Sequence, residues 1–500
     1  MKKVVVIALL AGSMISCKKF LAERSQTEVI PKTTKNFGEI LYTEGYPTNG
    51  VNLQPYISLM DDDIQCYNGD VIADQQLEVT MNAGAFQWQP NFIDVCKQAG
   101  AKVDKFDSWR TYYKLILGTN VALQYLDNSI GEASDKTMYK GEAYALRAFY
   151  HFMLVNLYAK PYNDSTTTPD KLAGIPLKLN ANLAEDLPAR NTVKEVYAQV
   201  TQDLDSAINL LEQVGTTQKL YRISATAAHL LASRVYLYME NWDKAIAHAD
   251  YVLSHHPQLM DLNKWPPDGA FTDFLAYPLM GVNNVETIWY YGSLDEPKAP
   301  GTYTAYGISH DLARCFDTSD LRSQVYFCPL PEFLKLFVPG DYNFNKTISD
   351  YAVVGSDMGT SWRSSEAYLN RAEAYIQKYK KGDASGAAEA LKNLNTLRVN
   401  RYAKGSYVNW TIETPDKLLE MCRTERRREL FHEAGHRWFD LRRYGMPSIS
   451  HIYAPTPSTT TVYTLAKRDP QYVLPIPIEV LQRNTSMPQN QQISGLRQPQ

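Results

Sequence analysis

The chain has 500 residues, of which 44% are hydrophobic, and this content is enough to bury a large core. Its 51 lysine and arginine residues nearly balance 54 aspartate and glutamate residues, which gives a formal net charge of −3. This balance lacks the basic excess of nucleic-acid-binding proteins, so no nucleic acid partner is expected. Tyrosine is frequent, with 34 residues against 16 phenylalanines, and its ring suits surfaces that stack on sugars or peptides.

Residues 1–16 have the pattern of a secretory signal peptide. Two lysines precede an apolar run over residues 4–10, which is too short to span a bilayer permanently. Small residues then lead to Cys17, and a signal that ends at a cysteine is typical of a bacterial lipoprotein. The sequence therefore predicts lipid attachment at Cys17, a polar tether over residues 17–40, and membrane association through the lipid anchor.

Amphipathic helices are predicted along much of the remaining chain. One begins at Ser108 and another covers residues 139–157, because apolar residues recur there at three- and four-residue steps. Thr192 and Glu195 form a capping box at the start of a third helix, and Gly215 is expected to end it.

Two further segments predict closely packed helix pairs. Helices that begin at Ser224 and Asn241 carry alanines at three- and four-residue steps, and the second ends at Pro257, as in a tetratricopeptide unit. A similar pair covers residues 366–379 and 387–398. Small residues let the two helices of a pair approach closely. We therefore predict a mainly α fold in which tetratricopeptide-like helix pairs form a scaffold.

Turn-rich and aromatic segments interrupt these helices. The main ones are residues 42–103 and 257–363, and shorter ones are residues 162–190 and 403–414. Binding residues concentrate on loops that a rigid scaffold carries. We therefore predict one domain, residues 41–500, whose loop-rich irregular lobe is inserted between the helices and binds the ligand.

Exposed aromatic rings in these insertions could stack on the faces of a sugar, with polar groups nearby to bind its hydroxyls. Trp289 is instead expected in the core. Asp61, Asp62 and Asp63 form either a solvated acidic loop or a group that binds a sugar hydroxyl, and they are the place where a structural calcium ion could bind. The candidate ligand-binding residues are Trp88, Trp265, Tyr290, Tyr291, Tyr303, Tyr306, Asp61 and Asp62.

Five cysteines remain after Cys17, namely Cys66, Cys96, Cys315, Cys328 and Cys422. Outside the cytoplasm, disulfides between Cys66 and Cys96 or between Cys315 and Cys328 are conceivable. Buried free thiols are favoured, because Cys422 lies on the apolar stripe of a predicted helix and the others lie in apolar surroundings.

The segment Thr414–Arg443 predicts a single helix and contains the sequence His432-Glu433-Ala434-Gly435-His436. This matches H-E-x-x-H, in which two histidines one turn apart bind zinc and the glutamate acts as a base. A catalytic zinc site needs a third ligand, but residue 439 is phenylalanine and no acidic residue occurs between Asp440 and Asp469. The alternating glutamates and arginines of the segment instead suit ion pairs that hold the helix against its neighbours.

Residues 425–443, ERRRELFHEAGHRWFDLRR, resemble the C-terminal signature of the SusD/RagB family of outer-membrane nutrient-binding lipoproteins. In that signature an E-R-R-x-E-L run leads into G-H-R-W-F-D-L-x-R. Four further segments resemble motifs of the same family in the same order, residues 284–289, 309–322, 362–375 and 472–490.

The resemblance implies a cell-surface protein that binds an oligosaccharide and delivers it to a TonB-dependent, SusC-like outer-membrane barrel. It implies no catalytic, cofactor-binding or metal-binding residue and no enzymatic activity. A second hypothesis keeps the fold but makes the protein mainly a lid for the transporter, or a binder of peptides. A third is the zinc metalloprotease that His432 and His436 would form. The sequence identifies neither the glycan nor the partner barrel.

Overall fold

The computed structural model of the protein describes residues 31–48, 50–66, 73–102, 106–183, 187–215, 219–264, 281–292, 306–328, 343–344, 359–456 and 458–500. Of the residues that the sequence singles out, Cys17, Trp265 and Tyr303 lie outside these ranges.

Helices make up most of the regular structure in these ranges. A π-helical turn, Leu41–Gly45, directly continues the first helix. The described α-helices are α1 Thr34–Ile40, α2 Ala73–Phe86, α3 Phe92–Gln98, α4 Ser108–Tyr125, α5 Ala133–Tyr158, α6 Val193–Val214, α7 Ala225–Tyr238, α8 Trp242–His255, α9 His310–Ala313, α10 Arg322–Val325, α11 Ser364–Lys380, α12 Ser385–Val399, α13 Pro415–Leu430, α14 His436–Arg443 and α15 Ile478–Arg483.

Local capping explains why several of these helices begin where the sequence predicts. Thr192 accepts a hydrogen bond from the backbone of Glu195, whose carboxylate accepts one from the Thr192 backbone, so the predicted capping box starts α6. Gly215 follows the last turn of α6 with φ +81°, as expected for a glycine stop. The side chains of Ser224 and Asn241 cap α7 and α8 in the same way.

Consecutive helices pack on one another and form the scaffold. Helix α5 packs between α4 and α6, α7 packs on α8, and α11 packs on α8, α12 and α13. The main hydrophobic core runs through the first part of this scaffold, and a second core lies between α11, α12 and α13. The prediction of a mainly α fold is confirmed, whereas the likeness of the helix pairs to tetratricopeptide units stays a prediction.

Short strands join distant parts of the chain beside the helices. Four of them form a sheet in the order β3-β1-β7-β8, in which β1 pairs antiparallel to β3 and parallel to β7. The others form two separate pairs, β2 with β6 and β4 with β5. The described strands are β1 Ile64–Cys66, β2 Thr287–Tyr291, β3 Tyr306–Ile308, β4 Phe327–Cys328, β5 Asn343–Phe344, β6 Thr360–Arg363, β7 Ile449–Thr456 and β8 Thr459–Leu465.

The insertion at residues 42–103 is more regular than the sequence predicts. It contains α2, α3 and β1, and its residues Leu59, Phe86 and Trp88 are fully buried in the main core. This part of the predicted irregular lobe is therefore built into the scaffold. Among the described residues, no helix is both long enough and apolar enough to cross a bilayer.

Four cysteine side chains lie in the described ranges, and all four are free thiols. Cys66, Cys96 and Cys422 are buried, and burial raises the pKa of the Cys66 and Cys96 thiols to about 12. The considered disulfide between Cys66 and Cys96 is therefore absent. The side chain of Cys328 lies outside the described residues.

A buried histidine on α5 predicts a loss of stability in acid. His151 is fully buried, and burial together with nearby Arg147 lowers its pKa from 6.5 to about 3. Between these values the unfolded chain binds a proton that the folded chain does not, so stability falls as the pH falls below 6.5. We expect the His151 contribution to the free energy of unfolding to drop by about 2 kcal/mol between pH 7 and pH 5.

Urea unfolding of the wild type and of His151→Phe at both pH values measures this effect. The phenylalanine variant should lose less stability than the wild type over the same interval, because its side chain does not titrate. Equal losses in the two proteins would contradict the prediction.

Candidate functional site

The C-terminal segment that contains the H-E-x-x-H sequence is not one helix. Helix α13 ends at Leu430 and α14 begins at His436, with a turn between them. His432, Ala434 and Gly435 all have positive φ, at +56°, +46° and +73°. The prediction of a continuous helix is therefore wrong, because left-handed backbone breaks the α-helical hydrogen-bond ladder.

This break changes the chemistry of the motif. The two histidines no longer lie one helical turn apart on one face, which the zinc geometry requires. Glu433, which would act as the base, accepts hydrogen bonds from the Arg363 guanidinium at 2.6 and 3.1 Å. Within the described ranges, no group of three or more histidine, cysteine, aspartate or glutamate side chains could hold a metal ion. The geometry contradicts the zinc metalloprotease hypothesis.

The charged residues of this segment form a buried network centred on Glu429. Its fully buried carboxylate lies 2.9 Å from Arg363, 2.9 Å from Arg401 and 3.1 Å from Arg322. The Tyr326 hydroxyl donates a further hydrogen bond of 3.2 Å. One carboxylate of α13 thus holds residues from α10, β6 and the turn after α12.

Two more glutamates complete the network. Glu286, just before β2, contacts Arg363 at 2.7 Å and Arg401 at 2.6 Å. Glu425, one turn before Glu429, contacts Arg322 at 2.7 Å and Arg398 at 2.7 Å. Burial alone would raise the pKa of Glu425, but Arg322 and Arg398 together with Arg428 lower it to about 2. Glu425 is therefore ionised at neutral pH and serves as a structural anion.

A second buried set of ion pairs fixes α14. Arg426 of α13 contacts Asp440 at 2.8 Å, and Asp440 also accepts a 2.8 Å hydrogen bond from Arg443. Arg443 in turn forms a two-pronged pair with Glu373 of α11, at 2.5 and 2.7 Å. The structure confirms that this segment holds helices together through ion pairs, as the sequence predicts.

The Asp61–Asp63 loop contacts the same segment, with Asp61 and Asp63 buried and Asp62 partly buried. Asp62 accepts two hydrogen bonds from Arg437, at 2.7 and 2.8 Å, and Asp63 accepts one from Arg427 at 2.6 Å. Asp61 is only 2% exposed and is not available to a sugar hydroxyl. Both oxygens of Asp62 already accept from Arg437, and a calcium ion would have to displace two arginines. The expectation of a solvated or ligand-binding loop is therefore corrected, because α13 and α14 cover it.

Two of the candidate aromatic residues support the sheet instead of facing solvent. Trp88 is fully buried, donates a 2.8 Å hydrogen bond to the Met60 carbonyl oxygen, and stacks on His451 with ring centroids 4.0 Å apart. Tyr306 is 1% exposed, and its hydroxyl donates to the Val79 carbonyl oxygen at 3.1 Å. Neither ring offers a face to a ligand, so these two predictions are corrected.

Tyr290 and Tyr291 are buried for a different reason. Every residue of β2 is buried, and the Tyr291 ring stacks on Trp289 at a centroid distance of 4.1 Å. Trp362 of the paired strand donates a hydrogen bond to the Tyr291 hydroxyl at 3.1 Å. Trp289 is in the core, as predicted, but its two neighbours are core residues as well. The sequence of β2, TIWYY, already indicates this burial, because a strand without apolar–polar alternation is typical of a strand that is buried on both faces.

The structure reveals one solvent-accessible site that no local pattern predicts. Tyr42, Tyr139 and Arg222 come from three separate segments and line one hollow of about 250 Å³ beside α1. Arg222 also lines a second hollow of about 360 Å³ that extends along α7 and α8. No single stretch of sequence contains this group, and only the folded chain brings it together.

Comparison with known proteins relates the chain to one family. A family model described as starch-binding and associating with the outer membrane matches residues 51–237, and the SusD family model matches residues 342–492. A SusD-like protein of Formosa agariphila is 24% identical over 387 residues, which cover 67% of this chain and 71% of that protein.

Solved structures share the fold. A SusD-like carbohydrate-binding protein from Bacteroides vulgatus has a TM-score of 0.64 at 19% identity, and the match covers 91% of this chain and 97% of that one. A laminarin-binding SusD-like protein has a TM-score of 0.63 at 19% identity, with 92% and 99% covered. These matches span nearly the whole of each chain.

Proposed function

Because this chain belongs to the SusD/RagB family, we propose that it is a cell-surface lipoprotein that captures an oligosaccharide and delivers it to a TonB-dependent, SusC-like outer-membrane barrel. Its family binds carbohydrate and is associated with the outer membrane. The proposal adds three points to these family properties: this protein captures the oligosaccharide, its partner is a SusC-like barrel, and it lies at the cell surface.

The observation that carries the proposal is the shared fold with a laminarin-binding SusD-like protein over 92% of this chain. The buried charge network supports it. A hydrolase could use acidic and basic side chains such as those of the C-terminal segment for catalysis. In this protein, Glu429, Asp440 and Glu433 instead form ion pairs with arginines that hold the scaffold together. A rigid scaffold of this kind suits a protein that presents a binding surface and leaves its ligand unchanged.

Attachment to the outer membrane is proposed to occur through acyl chains on Cys17. The signal-like residues 1–16 motivate this assignment. Mass spectrometry of protein extracted from cell membranes would detect the acylated cysteine, and an unmodified Cys17 would contradict the assignment.

Glycan binding is the most direct test of the proposed function. The full-length protein, purified in detergent, should show saturable binding to at least one polysaccharide in a panel that includes laminarin, starch and anionic polysaccharides. Isothermal titration calorimetry measures the dissociation constant. Binding to peptides alone would support the peptide hypothesis, and absence of any glycan binding would count against the proposal.

A further inference from the structure

Two surface hollows share Arg222 as a lining residue, and we call them together the Arg222 groove. Their volumes, about 360 and 250 Å³, fall together within the usual range for small-ligand sites. One hollow lies against α1 and α5, and the other follows the ends of α6, α7 and α8. The groove is therefore part of the helical scaffold.

Arg222 is held rigidly at the centre of the groove. Its Nε and Nη2 atoms donate to both oxygens of the fully buried Glu142, at 2.8 and 2.6 Å. Its guanidinium carbon lies 5.5 Å from the Tyr46 ring and 5.1 Å from the Tyr139 ring. Nη1 has no partner among the described residues, and 19% of the side chain is exposed. This arrangement leaves a fixed, pre-oriented donor facing the groove.

Partly exposed tyrosine rings flank this donor. Tyr139 packs against Gly38, where any side chain larger than hydrogen would collide with its ring. Tyr42 contacts Tyr46, with centroids 5.8 Å apart, and packs edge-on against Tyr221 at 6.4 Å. The Tyr139 ring is covered by Gly38 and by the Arg222 guanidinium. The Tyr42 ring is partly exposed and held by its neighbours, so it offers an apolar surface at little entropic cost, which is the property that sugar stacking requires.

The charged groups of the remaining lining nearly balance one another. Lys35 and Glu39, one turn apart on α1, line one hollow. Lys219 and Glu212 contribute opposite charges to the other, Thr43 and Thr226 add hydroxyls, and apolar side chains such as Leu220 and Ile288 complete the lining. The positive charge of Arg222 is balanced by Glu142. A surface with mixed donors and acceptors and little net charge favours a ligand with many hydroxyls and no charge.

We propose that the Arg222 groove binds a segment of a neutral oligosaccharide, with the ring of Tyr42 stacked on a sugar face and Nη1 of Arg222 bonded to a hydroxyl. This inference rests on the proposed function and locates a glycan site on the scaffold. It differs from the expectation that the inserted lobe alone holds the ligand.

The test uses the glycan that the full-length protein binds best in the panel. Tyr42→Ala should raise the dissociation constant at least tenfold, because it removes the stacking face. Tyr42→Phe keeps the ring and should stay within threefold of the wild type. Thr226→Trp, which fills the second hollow, should weaken binding to a long oligosaccharide more than to a short one.

Tyr463→Ala is the matched control, since Tyr463 is a partly exposed tyrosine on β8 that lines neither hollow. Its dissociation constant should equal that of the wild type, and equal thermal midpoints should show that all variants are folded. If the wild type binds glycan and Tyr42→Ala binds it within twofold of the wild type, the groove proposal is overturned while the proposed function stands. If the wild type binds no glycan, both proposals are overturned.

Discussion

Glu429→Gln is expected to lower the free energy of unfolding by about 3–5 kcal/mol, which is the range for breaking a buried ion pair by removing one partner. The substitution keeps the shape of the side chain and removes only its charge. Arg322, Arg363 and Arg401 would then face an amide at about 3 Å in place of an anion. Urea unfolding followed by circular dichroism measures the change.

An exposed pair provides the control for this variant. Asp416 lies 2.6 Å from Lys380, but its side chain is 81% exposed. Asp416→Asn makes the same chemical change and should alter stability by less than about 1 kcal/mol, because water screens exposed pairs. Comparable losses in the two variants would refute the view that burial gives the Glu429 network its importance.

A milder variant covers the case in which Glu429→Gln does not accumulate as folded protein. Tyr326→Phe removes one hydrogen bond to Glu429 and leaves every charge in place. Its expected loss is about 1–2 kcal/mol. A Tyr326→Phe protein as stable as the wild type would argue against a tightly organised network.

Gly118→Ala is expected to destabilise the protein by about 3 kcal/mol, because backbone occupies the place where its side chain would lie. Gly118 lies in α4, and a Cβ atom there would collide with the backbone of Glu44 and come within 2.7 Å of the Gly45 nitrogen. Both residues belong to the π-helical turn that follows α1. The turn would have to move away from α4, and the contacts between them would be lost.

Gly141 is a second helical glycine, and it tests whether the collision with backbone causes the loss of stability at Gly118. A Cβ atom at Gly141 of α5 would lie 2.8 Å from the Leu211 Cγ atom and 3.2 Å from the Leu210 Cβ atom, so it meets side chains that can adjust by a few tenths of an ångström instead of backbone. Alanine also favours a helix over glycine by about 1 kcal/mol. Gly141→Ala should therefore change stability by no more than about 1 kcal/mol. Thermal or urea unfolding of the two variants should differ clearly, and similar losses would contradict the prediction.

Local sequence was sufficient to predict where several helices begin and end. A capping box needs only Thr192 and Glu195, and the stop at Gly215 needs only a residue that adopts positive φ. Both signals act within one or two turns of the chain, so neighbouring residues determine them. The same holds for the apolar stripes that mark α4, α5 and α6.

The break between α13 and α14 is a partial exception. Gly435 has the positive φ that glycine permits, but His432 and Ala434 adopt positive φ without that advantage. The Glu433 side chain is held in place by Arg363, which lies 70 positions earlier in the chain. A long-range contact thus accompanies the positive φ values of His432 and Ala434, which these residue types rarely adopt on their own.

The sequence by itself determined the helical scaffold, the family signature and the pairing role of the C-terminal charges. Only the tertiary structure decided which aromatic and acidic side chains face solvent. Asp62 is paired with Arg437, 375 positions away, and Trp88, just after α2, stacks on His451 of β7. Exposure depends on such distant partners, because the surface that covers a side chain comes from whatever segment the fold brings against it. For the same reason the Arg222 groove, built from residues of five separate segments, is visible only in the folded protein.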